Sequence, residues 1–254
     1  MRSPITLLLS LASAPACGSR ESAPPPPSHE ATPQDWDAAV ESVARRRAAL
    51  QRRWRQAQDA TARAQIRDEA SRMLVAAIVD ELAPHWLGMP WGMGPSSTAT
   101  RPFAPQQTIA CSYFVGALLG AAGFALHDRF ALGQAPALEI QRSLVGDPEQ
   151  VHRFFSIPPQ RLAERIAALG DGLWLAGLAN HVGFVVVRDG EVRFLHASYT
   201  GDAVVMQEPL ADSAAIAASQ PKGYFISPVV LQRDAADDWL VERWLEGDAV
   251  GPTK

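Results

Sequence analysis

His181-Val182-Gly183-Phe184-Val185-Val186-Val187-Arg188-Asp189-Gly190-Glu191-Val192-Arg193-Phe194-Leu195-His196-Ala197-Ser198 is the stretch that decides the fold. Two apolar, β-branched runs flank Asp189-Gly190, a pair that accepts the positive φ angles of a two-residue hairpin turn. With that loop, Arg188 pairs with Glu191, Gly183 lies opposite His196, and His181 lies opposite Ser198. Positions two apart share a face of a sheet. His181 and His196 therefore become diagonal neighbours on one face, within side-chain reach. Gly183 leaves space between them.

Strand signals continue outward from the hairpin. Gly172 to Leu178 is apolar and extended, and Ala203 to Glu208 and Gly223 to Val230 are further strand candidates. Ala211 to Ser219 reads as a short helix. Asp234 to Glu246 reads as a closing helix with Trp239, Leu240 and Trp244 facing inward. Upstream, Pro158-Pro159 and Gly170 bracket an amphipathic helix with Leu162, Ile166 and Leu169 on one face. The region from Ala125 to this helix is mixed in character.

Further upstream, Cys111-Ser112-Tyr113-Phe114-Val115-Gly116-Ala117-Leu118-Leu119 predicts a helix running to Ala122 and stopping at Gly123. It is apolar nearly all round, so it should be buried. Pro84 to Ala110 is rich in Pro and Gly and reads as loop. Residues 32 to 83 read as helix, opened by Thr32-Pro33-Gln34-Asp35, a capping hydroxyl, an early proline and an acid at the third position. No Pro or Gly interrupts this stretch before Pro84. Its length predicts a break near Gln58 to Thr61 into two antiparallel helices, with Leu74, Ile78 and Leu82 on a buried stripe. Helices first and an antiparallel sheet second make an α+β order.

The chemistry centres on Cys111. A thiol at a helix start, followed by two histidines on a hairpin, is the layout of a cysteine nucleophile. A helix N-terminus and a neighbouring imidazole both favour the reactive thiolate. One imidazole would take the thiol proton and the second would orient the first. The helix carrying Cys111 is expected to pack against the face that both histidines share. Alternative readings are a buried small hydrophobe at Cys111 and a metal held by Cys111, His181 and His196. Gln106 or Gln107 could supply an oxyanion donor, but the backbone N–H of Cys111 is better placed. His85, His127 and His152 have no comparable context.

The other of the two cysteines has a different setting. Met1-Arg2-Ser3, an apolar stretch from Ile5 to Ala12, and Ala14-Pro15-Ala16-Cys17 read as a secretory signal. The apolar core is shorter than the roughly 20 residues needed to span a bilayer. Cys17 follows small residues, as in a bacterial lipoprotein signal, and is the expected lipidation site. Gly18 to Pro33, with Pro24-Pro25-Pro26-Pro27 inside it, suits an extended tether. The remaining length suffices for one sizeable domain. A net charge of −4, from 23 basic and 27 acidic residues, gives no support for nucleic-acid binding. The arginines between Arg45 and Arg55 are surrounded by acidic residues and alanines at helical spacing and read as a solvated helix face.

Three segments resemble the NlpC-type cell-wall cysteine peptidases, compact papain-like enzymes. Cys111-Ser112-Tyr113-Phe114-Val115 is similar to that family's Asp-Cys-Ser-Gly-Phe-Val nucleophile segment. His181-Val182-Gly183-Phe184-Val185 is similar to its His-Val-Gly-Ile-Tyr, and Phe194-Leu195-His196-Ala197-Ser198 to its Phe-Ile-His-Ala-Ser. Order and spacing agree across roughly Pro90 to Val230. The resemblance implies nucleophile Cys111, base His181 and orienting His196, with no cofactor. It implies a papain-like fold with a nucleophile helix on an antiparallel sheet. The organisation expected is a signal at 1–16, a lipidated Cys17 and tether at 17–33, a helical extension at 34–83, the catalytic domain at 84–232, and a closing helix and tail at 233–254.

The function implied is an extracytoplasmic, membrane-anchored thiol hydrolase that cleaves an amide in peptidoglycan peptides or another cell-envelope substrate. An acyltransferase of the same fold and a non-catalytic wall-binding lipoprotein are the alternatives. Ala110 stands where the family has an acid, and Tyr113 where it has a glycine. Pro90-Trp91-Gly92 resembles the family's aromatic-Trp-Gly segment without its tyrosine. These departures bear on the substrate more than on the triad.

Overall fold

The computed structural model describes residues 32–102, 107–231 and 239–253. Cys17, the signal, most of the tether, Gln106 and the first part of the closing helix lie outside them. The chain enters through α1 (Pro33–Gln56). Its Thr32 hydroxyl accepts from the Asp35 N–H while the Asp35 carboxylate accepts from the Thr32 N–H, the reciprocal cap that the sequence predicts. The predicted break falls at Ala57–Asp59, and Asp59 caps α2 (Ala60–Ala76). A π-helical turn (Ala77–Leu82) and a 3₁₀ turn (Ala83–Trp86) carry the helical run to its end. Leu74, Ile78 and Leu82 are fully buried.

The arginine-rich face of α1 is mostly ion-paired and solvated, with one exception. Arg47 is half-buried, donates to the carbonyl of Trp244 and lies over its ring.

After the loop comes α3 (Cys111–Ala121), closed by Gly123 at φ +92°. Then follow β1 (Ala125–Leu126), α4 (Arg129–Gln134), α5 (Ala137–Leu144), β2 (His152–Phe154) and α6 (Pro159–Ala167). The sheet continues with β3 (Gly172–Gly177), β4 (Val182–Arg188), β5 (Glu191–Ala197) and β6 (Val205–Pro209). The chain ends with α7 (Ala214–Ser219), β7 (Tyr224–Leu231), α8 (Trp239–Glu246) and β8 (Ala249–Val250), which pairs with β1. The main sheet has six strands in the order β2-β7-β3-β4-β5-β6, all antiparallel. The fold is α+β.

The hairpin register is the predicted one. Arg188 pairs with Glu191, and Asp189 and Gly190 both have positive φ. Pro228 sits inside β7 at an irregularity opposite Leu173 and Trp174. An irregularity of this kind tolerates the absence from the ladder of the backbone N–H that proline lacks.

The sheet is covered on both faces. One core joins Leu173, Leu175, Phe184, Val186 and Leu195 to buried residues of α1, α2, α3 and α8. The other joins Trp174, Val185, Val187 and Phe194 to Leu162, Ile166 and Ile216. Residues 31–254 form one compact unit, and buried residues of α1 and α2 share a core with the sheet. Leu240 and Trp244 face inward as predicted, but Trp239 does not: it is 36% exposed. Its ring covers Gly146 and meets the Arg243 guanidinium. Helical spacing alone cannot tell the edge of a buried stripe from its centre.

Candidate functional site

The N-terminus of α3 is positioned by the loop before it. Trp91 N–H donates to Ala203 O, Ile109 N–H to Pro90 O, and Ala110 N–H to Ser97 O. The first ties Trp91 to the chain just before β6, and the other two hold Ile109 and Ala110 against Pro90 and Ser97. Ala110 is the N-cap and provides no side-chain bond. The first-turn N–H groups, which have no partner within a helix, are therefore not capped by that residue. Ser112 Oγ donates instead to Gly133 O at 2.5 Å, binding α3 to α4. Tyr113 is buried against Gly133, where a Cβ would fall 2.3 Å from its ring.

Cys111 is a free, half-buried thiol. It lines a cavity of about 530 Å³ together with His181. The other walls come from the end of α4 (Gln134), Pro136, the start of α5 (Leu138), the turn between β3 and β4 (Leu178, Asn180), and Lys222 with Phe225. Gln141 supports the α5 wall from behind, donating to Leu175 O and Phe225 O.

The two histidines meet as the register requires. His181 Nε2 lies 2.8 Å from His196 Nδ1, and their rings are edge to face. Phe194 stacks on His196 at 4.1 Å, and Tyr199 packs on His181 at 5.2 Å. Both imidazoles are buried. His181 Nδ1 is buried with no hydrogen-bond partner among the described residues.

The approach of Cys111 differs from the expectation. The histidines lie on the Phe194 face of the sheet, whereas α3 packs on the opposite face against Phe184 and Leu195. Cys111 and His181 both line the cavity at the start of β4. Its thiol lies beside the Val182 backbone, and His181 is the residue just before that strand. An all-apolar helix has no stripe from which its sheet face could be read.

The electrostatics differ as well. Burial pushes the Cys111 thiol up, against the opposing pull of nearby backbone N–H groups from Val182, Ser112 and Cys111 itself. Burial, and then His196, push His181 down to about 3. His196 is also lowered by burial, against the pull of Glu208. Desolvation penalises the charged forms of both groups and so favours a neutral thiol and a neutral imidazole. The backbone N–H groups at the helix start do not outweigh it.

Sequence reasoning did not single out Glu208. Its Oε1 lies 3.1 Å from His196 Nε2. It stands on β6 opposite Phe194, two residues from the Met206 that pairs with His196. Of the two glutamines, Gln107 is exposed and not part of the cavity wall. Among the described residues no group of three or more acidic, histidine or cysteine side chains is placed to hold a metal ion. Both nitrogens of His196 are already engaged, by His181 and Glu208.

No family model, no curated protein and no solved structure matches the chain.

Proposed function

We propose that the protein is a thiol hydrolase of the papain-like, NlpC-type architecture that cleaves an amide bond in a cell-envelope substrate, with peptidoglycan peptides as the first candidates. One observation carries the reading. An accessible thiol at a helix N-terminus shares a cavity with a histidine whose Nδ1 has no partner among the described residues and whose Nε2 is held by a second histidine.

Cys111 Sγ attacks the amide carbonyl as His181 Nδ1 takes the thiol proton. Because the resting pair is neutral, removal of this proton accompanies attack rather than preceding it. The oxyanion is met by first-turn N–H groups of α3. His181 then gives the proton to the departing amine nitrogen as the C–N bond breaks. Water hydrolyses the thioester and returns the free thiol. Cys17 anchors the chain at the outer side of a membrane on this reading. Stable anchoring takes more than one acyl chain, so Cys17→Ser should release the protein from the membrane fraction.

The deciding experiment is mass spectrometry of wall fragments incubated with the purified protein, with Cys111→Ala as control. New amine and carboxylate termini that need Cys111 support hydrolysis. Products joined to an added amine acceptor support an acyltransferase instead. Unchanged fragments with an unreactive thiol support a binding role.

A further inference from the structure

We propose that Glu208 is a positioning residue of this site, whose carboxylate sets the direction of the hydrogen bonds through His196 and so leaves the lone pair of His181 on Nδ1. The inference rests on the reading of Cys111 as nucleophile and His181 as base.

The direction follows from hydrogen-bond chemistry. An ionised carboxylate only accepts, and a neutral imidazole has one N–H and one acceptor nitrogen. His196 Nε2, 3.1 Å from Glu208 Oε1, must carry the hydrogen. His196 Nδ1 is then an acceptor. His181 Nε2, 2.8 Å away, must donate to it. The one nitrogen left to His181 as a base is Nδ1, the atom buried without a partner among the described residues. With the opposite tautomers, His196 would donate from Nδ1, and His181 Nδ1 would carry a hydrogen and be unable to take the thiol proton.

Two conditions support this chain. Burial keeps both rings neutral. Hydrogen bonds from His196 first, and then from Ser213, hold the Glu208 carboxyl below its ordinary range, so it is ionised. When the thiol proton reaches His181 Nδ1, the ring becomes an imidazolium whose Nε2–H still points at His196. The Glu208 charge then lies two bonds further along the same line and favours that state. Glu208 does not line the cavity, so it acts through His196 and not on substrate.

The test uses the full chain labelled with ¹⁵N-histidine. Long-range ¹H–¹⁵N spectra at neutral pH report which nitrogen of each ring is protonated, with His181→Gln and His196→Asn assigning the signals. The wild type should show both rings protonated on Nε2. Glu208→Ala should move His181 toward the Nδ1–H form. General-base assistance is worth roughly 10²–10⁴-fold, and loss of its alignment should lower kcat by at least about tenfold with KM unchanged. Glu208→Gln, whose amide oxygen can accept the same bond, should restore the tautomer and much of kcat. A wild-type His181 protonated on Nδ1 overturns the proposal, as do unchanged tautomers and kcat in Glu208→Ala. If the wild type cleaves nothing, the functional reading fails and the tautomer spectra still decide the role of Glu208. If Glu208→Ala does not fold, the wild-type spectrum decides it.

Discussion

Gly183 lies directly against His196: a Cβ built on the glycine falls 2.7 Å from the His196 Cβ and 2.7 Å from the Phe194 ring. The contact is backbone against the root of a side chain, so no terminal rotation relieves it. Gly183→Ala should cost about 1–3 kcal/mol of stability. It should also tilt His196 away from His181. Gly183→Leu should cost more activity while the domain stays folded. Thermal melts and turnover of the two variants check this, and wild-type turnover in Gly183→Leu would contradict the shared-face geometry.

The state of the resting thiol can be read from its chemistry. Because burial raises Cys111 and lowers His181, alkylation by iodoacetamide should still be climbing with pH in the ordinary thiol range, around 8.5. His181→Ala should change that profile little, because the resting imidazole carries no charge. A plateau near neutral pH would reveal a thiolate–imidazolium pair and refute the neutral resting state.

His196 and His181 should separate by degree. If His196 orients His181, His196→Asn should retain part of the turnover, because the amide still offers a hydrogen bond. His196→Ala should lose more, and His181→Ala should approach the full roughly 10²–10⁴-fold of general-base assistance. Equal turnover in His196→Ala and wild type would remove the second histidine from the mechanism.

Acid should destabilise the fold before the carboxylates titrate. His181 stays neutral down to about 3 in the folded protein but has an ordinary value of 6.5 when exposed. Between those values the unfolded chain binds more protons, so stability falls as pH drops through that window. The slope approaches about 1.4 kcal/mol per pH unit for one such group, and His196, lowered by the same burial, adds in the same direction. Urea midpoints at neutral pH and at pH 5 test it. Equal midpoints would mean that the imidazoles are not buried in neutral form.

Much of this fold is decided by short-range chemistry and is legible in the sequence. Asp189-Gly190 accepts two positive φ angles, and that turn sets the register that joins His181 to His196. Thr32 and Asp35 start the first helix, Asp59 caps the second, and Gly123 ends the helix that begins at Cys111. Each signal is local because its partner lies within a few residues.

What only the tertiary structure decided depends on segments far apart in the chain. The Cys111 helix is apolar all round, so its sheet face follows from packing, and the thiol sits beside the Val182 backbone on the cavity that His181 also lines. Glu208 could not be placed because the β5–β6 connection turns at Thr200–Ala203 inside a loop longer than two residues, so its register does not follow from a short turn pair as it does at Asp189-Gly190. The cavity walls come from four separate segments. The neutral state of thiol and imidazole is a property of burial, which belongs to the assembled core and to no single stretch of sequence.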